Sequence, residues 1–193
     1  VPNPEFFQFE TADGAVLNAY FIKPTNFDPE KKYPVIAYGY GNAGSQMVVN
    51  RWGSSRGAQR DMWHRYMAQQ GYVIFSMDNR TTAGRGKKAK NMIYGHYAKW
   101  AVLDQVNGAK YLKTLPFVDS KRLGFWGWSG GGYLTAAMMT KGAPHYKTGV
   151  SVAPVIDLTR YQAVGVERWM DFYEDNPEGY YQVNLINFVD LLE

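Results

Sequence analysis

One segment constrains this chain more than any other. An apolar run, Leu123-Gly124-Phe125-Trp126-Gly127-Trp128, meets Ser129-Gly130-Gly131-Gly132, and a stretch rich in Ala and Met follows directly. Gly127, Ser129 and Gly131 spell G-x-S-x-G. With 20 glycines among 193 residues the string alone says little. Its setting says more: a buried strand before it and a helix after it are the context of a nucleophile elbow. A sharp strand-to-helix reversal pushes the serine hydroxyl out of the sheet. Small neighbours are needed to let strand and helix approach, and Gly127 and Gly131 supply them. The helix that follows aims its N-terminal N–H groups at developing negative charge. The competing reading is a glycine-rich turn that binds nothing, or a phosphate.

The surrounding pattern is one of alternation. Strands are predicted over Phe6–Glu10 and Val16–Lys23, joined as a hairpin across Asp13-Gly14. Further strands are expected at Val35–Tyr38, Tyr72–Met77, Leu123–Trp128 and Gly149–Ala153. Helical spacing marks Ala58–Gln70, with Met62, Trp63, Tyr66 and Met67 on one face, and Ala98–Thr114, with Val102, Val106, Ala109 and Leu112. Gly131–Lys141 forms the helix after the serine. From Asp157 the chain is aromatic and irregular, and it turns apolar from Val183 to Leu192. Strands alternating with helices predict a single α/β domain over residues 1–193, a mostly parallel sheet covered on both faces.

Composition narrows the function. With 46% hydrophobic residues the chain can bury a sizeable core. Its net charge is +4, and the one dense basic run, Arg85-Gly86-Lys87-Lys88-Ala89-Lys90, reads as a solvated loop rather than a nucleic-acid site. There is no cysteine, hence neither a disulfide framework nor a thiolate zinc site. No His or carboxylate cluster has metal-ligand spacing, and no cofactor is implied. No stretch has the length of a membrane span. Gly39-Tyr40-Gly41-Asn42-Ala43-Gly44 matches the dinucleotide string G-x-G-x-x-G, but Asn50–Gly57 reads as irregular where a helix is required. The next strand ends only at Asp78, too late for the ribose-binding acid.

A serine nucleophile needs a base and an orienter for it. Three histidines are present. His64 is expected to meet solvent, His96 to support a helix start, and His145 to lie at the far edge of the sheet from Ser129. None is assigned as the base, and the acid and histidine are expected beyond Glu193. The first residue is Val1 rather than Met, as expected of a piece of something longer.

These motifs, with others in the same order, resemble the catalytic domain of the prolyl oligopeptidase family, in its dipeptidyl peptidase IV branch. The likeness runs from about Phe6 to the end. It rests on Lys32-Tyr33-Pro34, on Tyr40 with Ser45-Gln46, on Asp78-Asn79-Arg80 with Gly84 and Gly86, and on Asp104-Gln105. It continues through Phe117-Val118-Asp119-Ser120-Lys121-Arg122, Gly127-Trp128-Ser129 and Gly131-Gly132-Tyr133. Val152-Ala153-Pro154-Val155, Glu167-Arg168 and Asn176-Pro177-Glu178-Gly179-Tyr180 complete it.

The resemblance implies an α/β-hydrolase fold, cut before its last strands and capped in the parent chain by an upstream β-propeller. It implies Ser129 as nucleophile, the Tyr40 hydroxyl and the Gly130 N–H as oxyanion donors, and Val155, Leu158, Tyr161 and Gly165 as substrate-pocket positions. It also implies a peptide substrate and a homodimer. The compartment it suggests is the periplasm or the exterior, with the cytoplasm open. Large rings are usual in this branch at positions 130, 158 and 165, where this chain has Gly, Leu and Gly. Their loss is expected to widen or reshape the pocket and to move its preference away from proline. The expected activity is release of dipeptides or short peptides from N-termini. An esterase or acylaminoacyl peptidase on the same fold, and an inactive binding module, remain as alternatives. Glu167 and Arg168 are read as a polar support near the site or as a surface pair.

Overall fold

The computed structural model describes residues 2–51 and 58–192. Six strands form one sheet: β1 (Pro4–Glu10), β2 (Val16–Ile22), β3 (Tyr33–Tyr38), β4 (Val73–Met77), β5 (Val118–Trp128) and β6 (Thr148–Val152), in the order β1-β2-β4-β3-β5-β6. The hairpin β1–β2 turns at Gly14, whose φ of 83° suits glycine. β2 also runs antiparallel to β4, and the remaining pairs are parallel. β4 is buried along its whole length, as a central strand covered on both faces must be. β5 begins at Val118, earlier than the apolar run suggests, because Val118 pairs with Tyr33 across a register shift. β6 forms one edge of the described sheet, opposite β1, and Val150 on it is 60% exposed.

Alternate residues of the strands serve two different layers. Val35, Ala37, Phe75, Met77, Leu123 and Phe125 face α3 (Lys99–Thr114) and α4 (Gly130–Met139), in the main core. Ile22 and Ile74 face α1 (Ala58–Gln69), where Ala68 completes a smaller cluster.

That second face corrects the expected register of α1. Met62, Trp63 and Tyr66 are exposed, whereas His64, Arg65 and Ala68 are buried. His64 is only 1% exposed because its Nε2 accepts a hydrogen bond from Trp126 Nε1 at 3.0 Å, and it packs edge-on against Tyr38 and Trp126. Arg65 is held by Asp61 at 3.1 Å. A buried polar group with a partner displaced the apolar stripe. Burial, reinforced by the charge of Arg60, pulls the His64 pKa down to about 3. The basic run also differs from expectation: Gly86–Asn91 is a short helix, α2, with no buried residue. On α3, Val102 and Val106 are half-buried, and the fully buried positions include Ala101, Asp104 and Gln105.

The tail is more regular than its sequence suggests. α5 (Ala163–Met170) and α6 (Pro177–Val183) are linked through Asn176. Its Oδ1 accepts from Gly179 N at 3.1 Å, and its Nδ2 donates to Met170 O at 2.9 Å and Gly95 O at 3.2 Å. The Asn-Pro-Glu-Gly motif is thus a helix cap that also ties the tail to the loop before α3. No helix among the described residues is long and apolar enough to cross a membrane.

Candidate active site

Ser129 stands between β5 and α4 at φ 57° and ψ −115°. A non-glycine residue held there carries on the order of 1–3 kcal/mol of strain, and the surroundings enforce it. Ser129 N donates to Val152 O on β6 at 2.9 Å, and Ser129 O accepts from Tyr133 N at 2.9 Å, which fixes both sides of the reversal. The flanking glycines are steric necessities. A Cβ on Gly127 would lie 2.5 Å from the backbone C and O of Gly131. One on Gly131 would lie 2.4 Å from Gly39 O, and one on Gly132 would lie 2.4 Å from Val152 O. The elbow is packed backbone against backbone.

The contact with Gly39 brings the end of β3 against the elbow. A Cβ on Gly131 would be 3.5 Å from Tyr40 Cα, so the expected oxyanion residue sits beside the start of α4. The loop after Tyr40 is clamped from β4. Asp78, 2% exposed, accepts from Met47 N at 2.7 Å and Val48 N at 3.2 Å, and Thr82 Oγ1 donates to Ser45 O. Burial pushes the Asp78 carboxyl up to about 6, against the opposing pull of those two N–H groups. Next to it Arg80 pairs with buried Asp104 at 2.6 Å and with Asp13 at 2.7 Å, while its guanidinium lies over Trp100. Asp78 is therefore scaffolding for the loop that follows Tyr40, while Arg80 ties the same segment to α3 and to the β1–β2 turn. The sign of that role was an acid at the end of a fully buried strand.

Ser129 and Gly130 line a cavity of ≈ 40 Å³ together with Val155, Leu158, Tyr161 and Gly165, the four expected pocket positions. Tyr97, Tyr133, Val166 and Asn42 complete its wall, and Tyr40 is not part of it. The 3-10 turn Leu158–Arg160 is held in place by Asn184, whose Oδ1 accepts from Leu158 N at 2.7 Å and whose Nδ2 donates to Asp157 at 2.8 Å. Tyr133 anchors the other side by donating to Val183 O at 2.8 Å. Glu167 and Arg168 lie on α5, the guanidinium of Arg168 5.3 Å from the ring of Trp169.

None of the three histidines lines this cavity. His64 is on the α1 face, and His96 is exposed just before α3. His145 precedes β6, whose first residue pairs with Gly124 whereas its last pairs with Trp128, so it lies at the opposite end of the strands from Ser129. No group of three His, Asp or Glu side chains among the described residues could hold a metal ion. A larger cavity, ≈ 590 Å³, opens behind the site between α3, α4 and α6, with Val102, Val106 and the other side of Tyr133 on its wall.

The model of the prolyl oligopeptidase family matches residues 59–192. The chain belongs to that family. Its relatives place it on the dipeptidyl peptidase IV branch. It is 36% identical over 183 residues to the Emericella nidulans protein named "Probable dipeptidyl peptidase 4", covering 93% of this chain and 23% of the relative. It is 36% identical over 176 residues to the "Probable dipeptidyl-aminopeptidase B" of Ajellomyces capsulatus, covering 90% and 18%. The solved dipeptidyl peptidase 4 of Porphyromonas gingivalis superposes with a TM-score of 0.92 at 34% identity, over 100% of this chain and 26% of that one. A solved Bacteroides ovatus chain assigned to dipeptidyl aminopeptidase IV gives 0.92 at 42% identity, over 100% and 27%. The fold is the α/β-hydrolase fold of these peptidases. The chain spans about a fifth of the curated relatives and about a quarter of the solved chains.

Within the family, the missing rings at 130 and 165 would be expected to leave open space. They do not. A Cβ on Gly130 would lie 2.4 Å from Asn42 Oδ1, 2.7 Å from its Cγ and 2.8 Å from its Nδ2. A Cβ on Gly165 would lie 3.0 Å from Gln162 Nε2 and 3.1 Å from its Cγ. A carboxamide lies against each glycine, that of Asn42 from the loop after Tyr40 and that of Gln162 from the cap of the helix that holds Gly165. Asn42, which the sequence reading left without a role, lines the same cavity.

Proposed function

We propose that this chain carries the nucleophile of a serine exopeptidase that releases dipeptides from polypeptide N-termini. The backbone of Ser129 supports this most: a strained serine at a strand-to-helix reversal, lining a cavity formed by the expected pocket residues. In this reading Ser129 Oγ attacks the carbonyl carbon of the second residue. Its proton passes to a histidine supplied by the longer protein and then to the departing amine. The new oxyanion is held by Gly130 N–H, which as the first residue of α4 has no partner within the helix, and by the Tyr40 hydroxyl. One such donor is worth roughly 3 kcal/mol of barrier. Water then cleaves the acyl–serine ester by the same proton route in reverse.

The test is covalent. In the full-length protein a fluorophosphonate probe is expected to label Ser129, and Ser129→Ala to abolish both labelling and turnover of dipeptidyl-coumarin substrates. An unlabelled serine in folded protein removes the nucleophile from the account. Faster turnover of N-acylated than of free-amino substrates makes it an acylaminoacyl peptidase instead. The 193 residues on their own are expected to be inactive and poorly soluble, and ordinary turnover by them would show that no distal histidine is needed.

A further inference from the structure

Asn42 sits in the loop just after Tyr40, and it lines the cavity at Ser129. Two observations define what it does there. First, its carboxamide occupies the volume that any side chain at position 130 would need. Second, no side-chain hydrogen bond to another described residue satisfies that carboxamide, although Gln162, the other filling amide, donates to Tyr161 at 3.3 Å. Asn42 thus offers a free donor and acceptor on the wall beside the nucleophile. The rest of that wall, Val155, Leu158, Tyr161 and Gly165 among it, carries no charge, and the space is small.

We propose that Asn42 is a specificity-determining residue of this site, selecting a small, uncharged P1 side chain that hydrogen-bonds its carboxamide, serine or threonine foremost, and excluding proline. The physical reason is the cost of covering this half-buried amide with a side chain that cannot pair it. A P1 hydroxyl satisfies it, whereas a pyrrolidine ring has no polar atom to offer and needs the ring contacts that Gly130 and Gly165 no longer give. The same geometry couples residues 42 and 130: a side chain at 130 requires the Asn42 carboxamide to move.

This inference rests on the serine-peptidase reading, and the experiment separates the two. In the full-length protein, kcat/KM is measured on dipeptidyl-coumarins with Ser, Thr, Ala or Pro at P1, and fluorophosphonate labelling is measured on the same preparations. Wild type is expected to favour Ser and Thr over Ala by about fivefold to tenfold, the worth of one hydrogen bond. Asn42→Ala is expected to bring that ratio to about one. Gly130→Tyr alone is expected to lose turnover on every substrate, since its Cβ meets the Asn42 amide. Asn42→Gly with Gly130→Tyr is expected to recover turnover and to raise the Pro-to-Ser ratio at least tenfold over wild type. A labelled, active enzyme whose Ser-to-Ala ratio is unmoved by Asn42→Ala overturns the inference alone. So does a Gly130→Tyr single variant as active as the double. An unlabelled wild type overturns the parent reading and this one with it.

Discussion

The two faces of the sheet are covered by different chemistry. On the α3/α4 side Phe125, Leu123, Phe75 and Leu134 pack as an apolar core, and the helical spacing of α4 follows directly from its Ala and Met content. On the α1 side the apolar cluster is small, and His64, Arg65, Tyr38 and Trp126 fill the layer with hydrogen bonds and ring contacts. The first face is held mainly by area removed from water. The second depends on each polar group finding its partner, which makes it selective about identity rather than volume.

Substitutions can separate the two modes. Gly127→Ala acts where neither mode offers relief, because the obstacle is the backbone of Gly131 at 2.5 Å. It is expected to cost about 4 kcal/mol or more in urea unfolding of the full-length protein and to abolish turnover. Phe125→Ala, on the apolar face, should cost about 3–5 kcal/mol at every pH. His64→Ala should cost less, about 1–3 kcal/mol, chiefly by leaving Trp126 Nε1–H unpaired.

His64 also gives the second face a signature in acid. Its folded pKa, about 3, lies below the ordinary 6.5, so the unfolded chain takes up the proton first. Stability from this group is complete above about pH 6.5 and falls as the pH drops toward 3. His64→Asn keeps an acceptor for Trp126 and does not titrate, so its stability is expected to fall less steeply across that window. An unchanged acid slope would show that His64 is not the group responsible. The smallest effect belongs to a residue that periodicity assigned to the core: Met62→Gln, at a site 58% exposed, should stay within about 0.5 kcal/mol of wild type.

These differences explain what could be read from the sequence. The elbow was legible because its requirements are local: a strand, small residues at fixed offsets, and a helix, all within Leu123–Met139. The succession of strands and helices followed from alternation, and the first hairpin from the Asp13-Gly14 turn; the order of the strands across the sheet did not. The α1 face was misread because burial of His64 depends on Trp126, a partner no window around the helix contains. The same holds for Asn42. As a loop residue it carries no signal, and its place is set by the absence of a side chain at Gly130. Asp78 was seen only as part of a motif, since its work is done on the backbone of a distant loop.

That last contact has a consequence for how such sites diverge. Asp78 grips amides, not side chains, so the clamp is blind to which amino acids occupy the segment it holds. Most side chains between Asn42 and Val48, Gly44 with its φ of 81° apart, can therefore be exchanged without releasing their anchor, and a substitution at 42 changes the wall of the neighbouring cavity while the elbow stays in register. The fold separates the part that must not vary from the part that is free to explore.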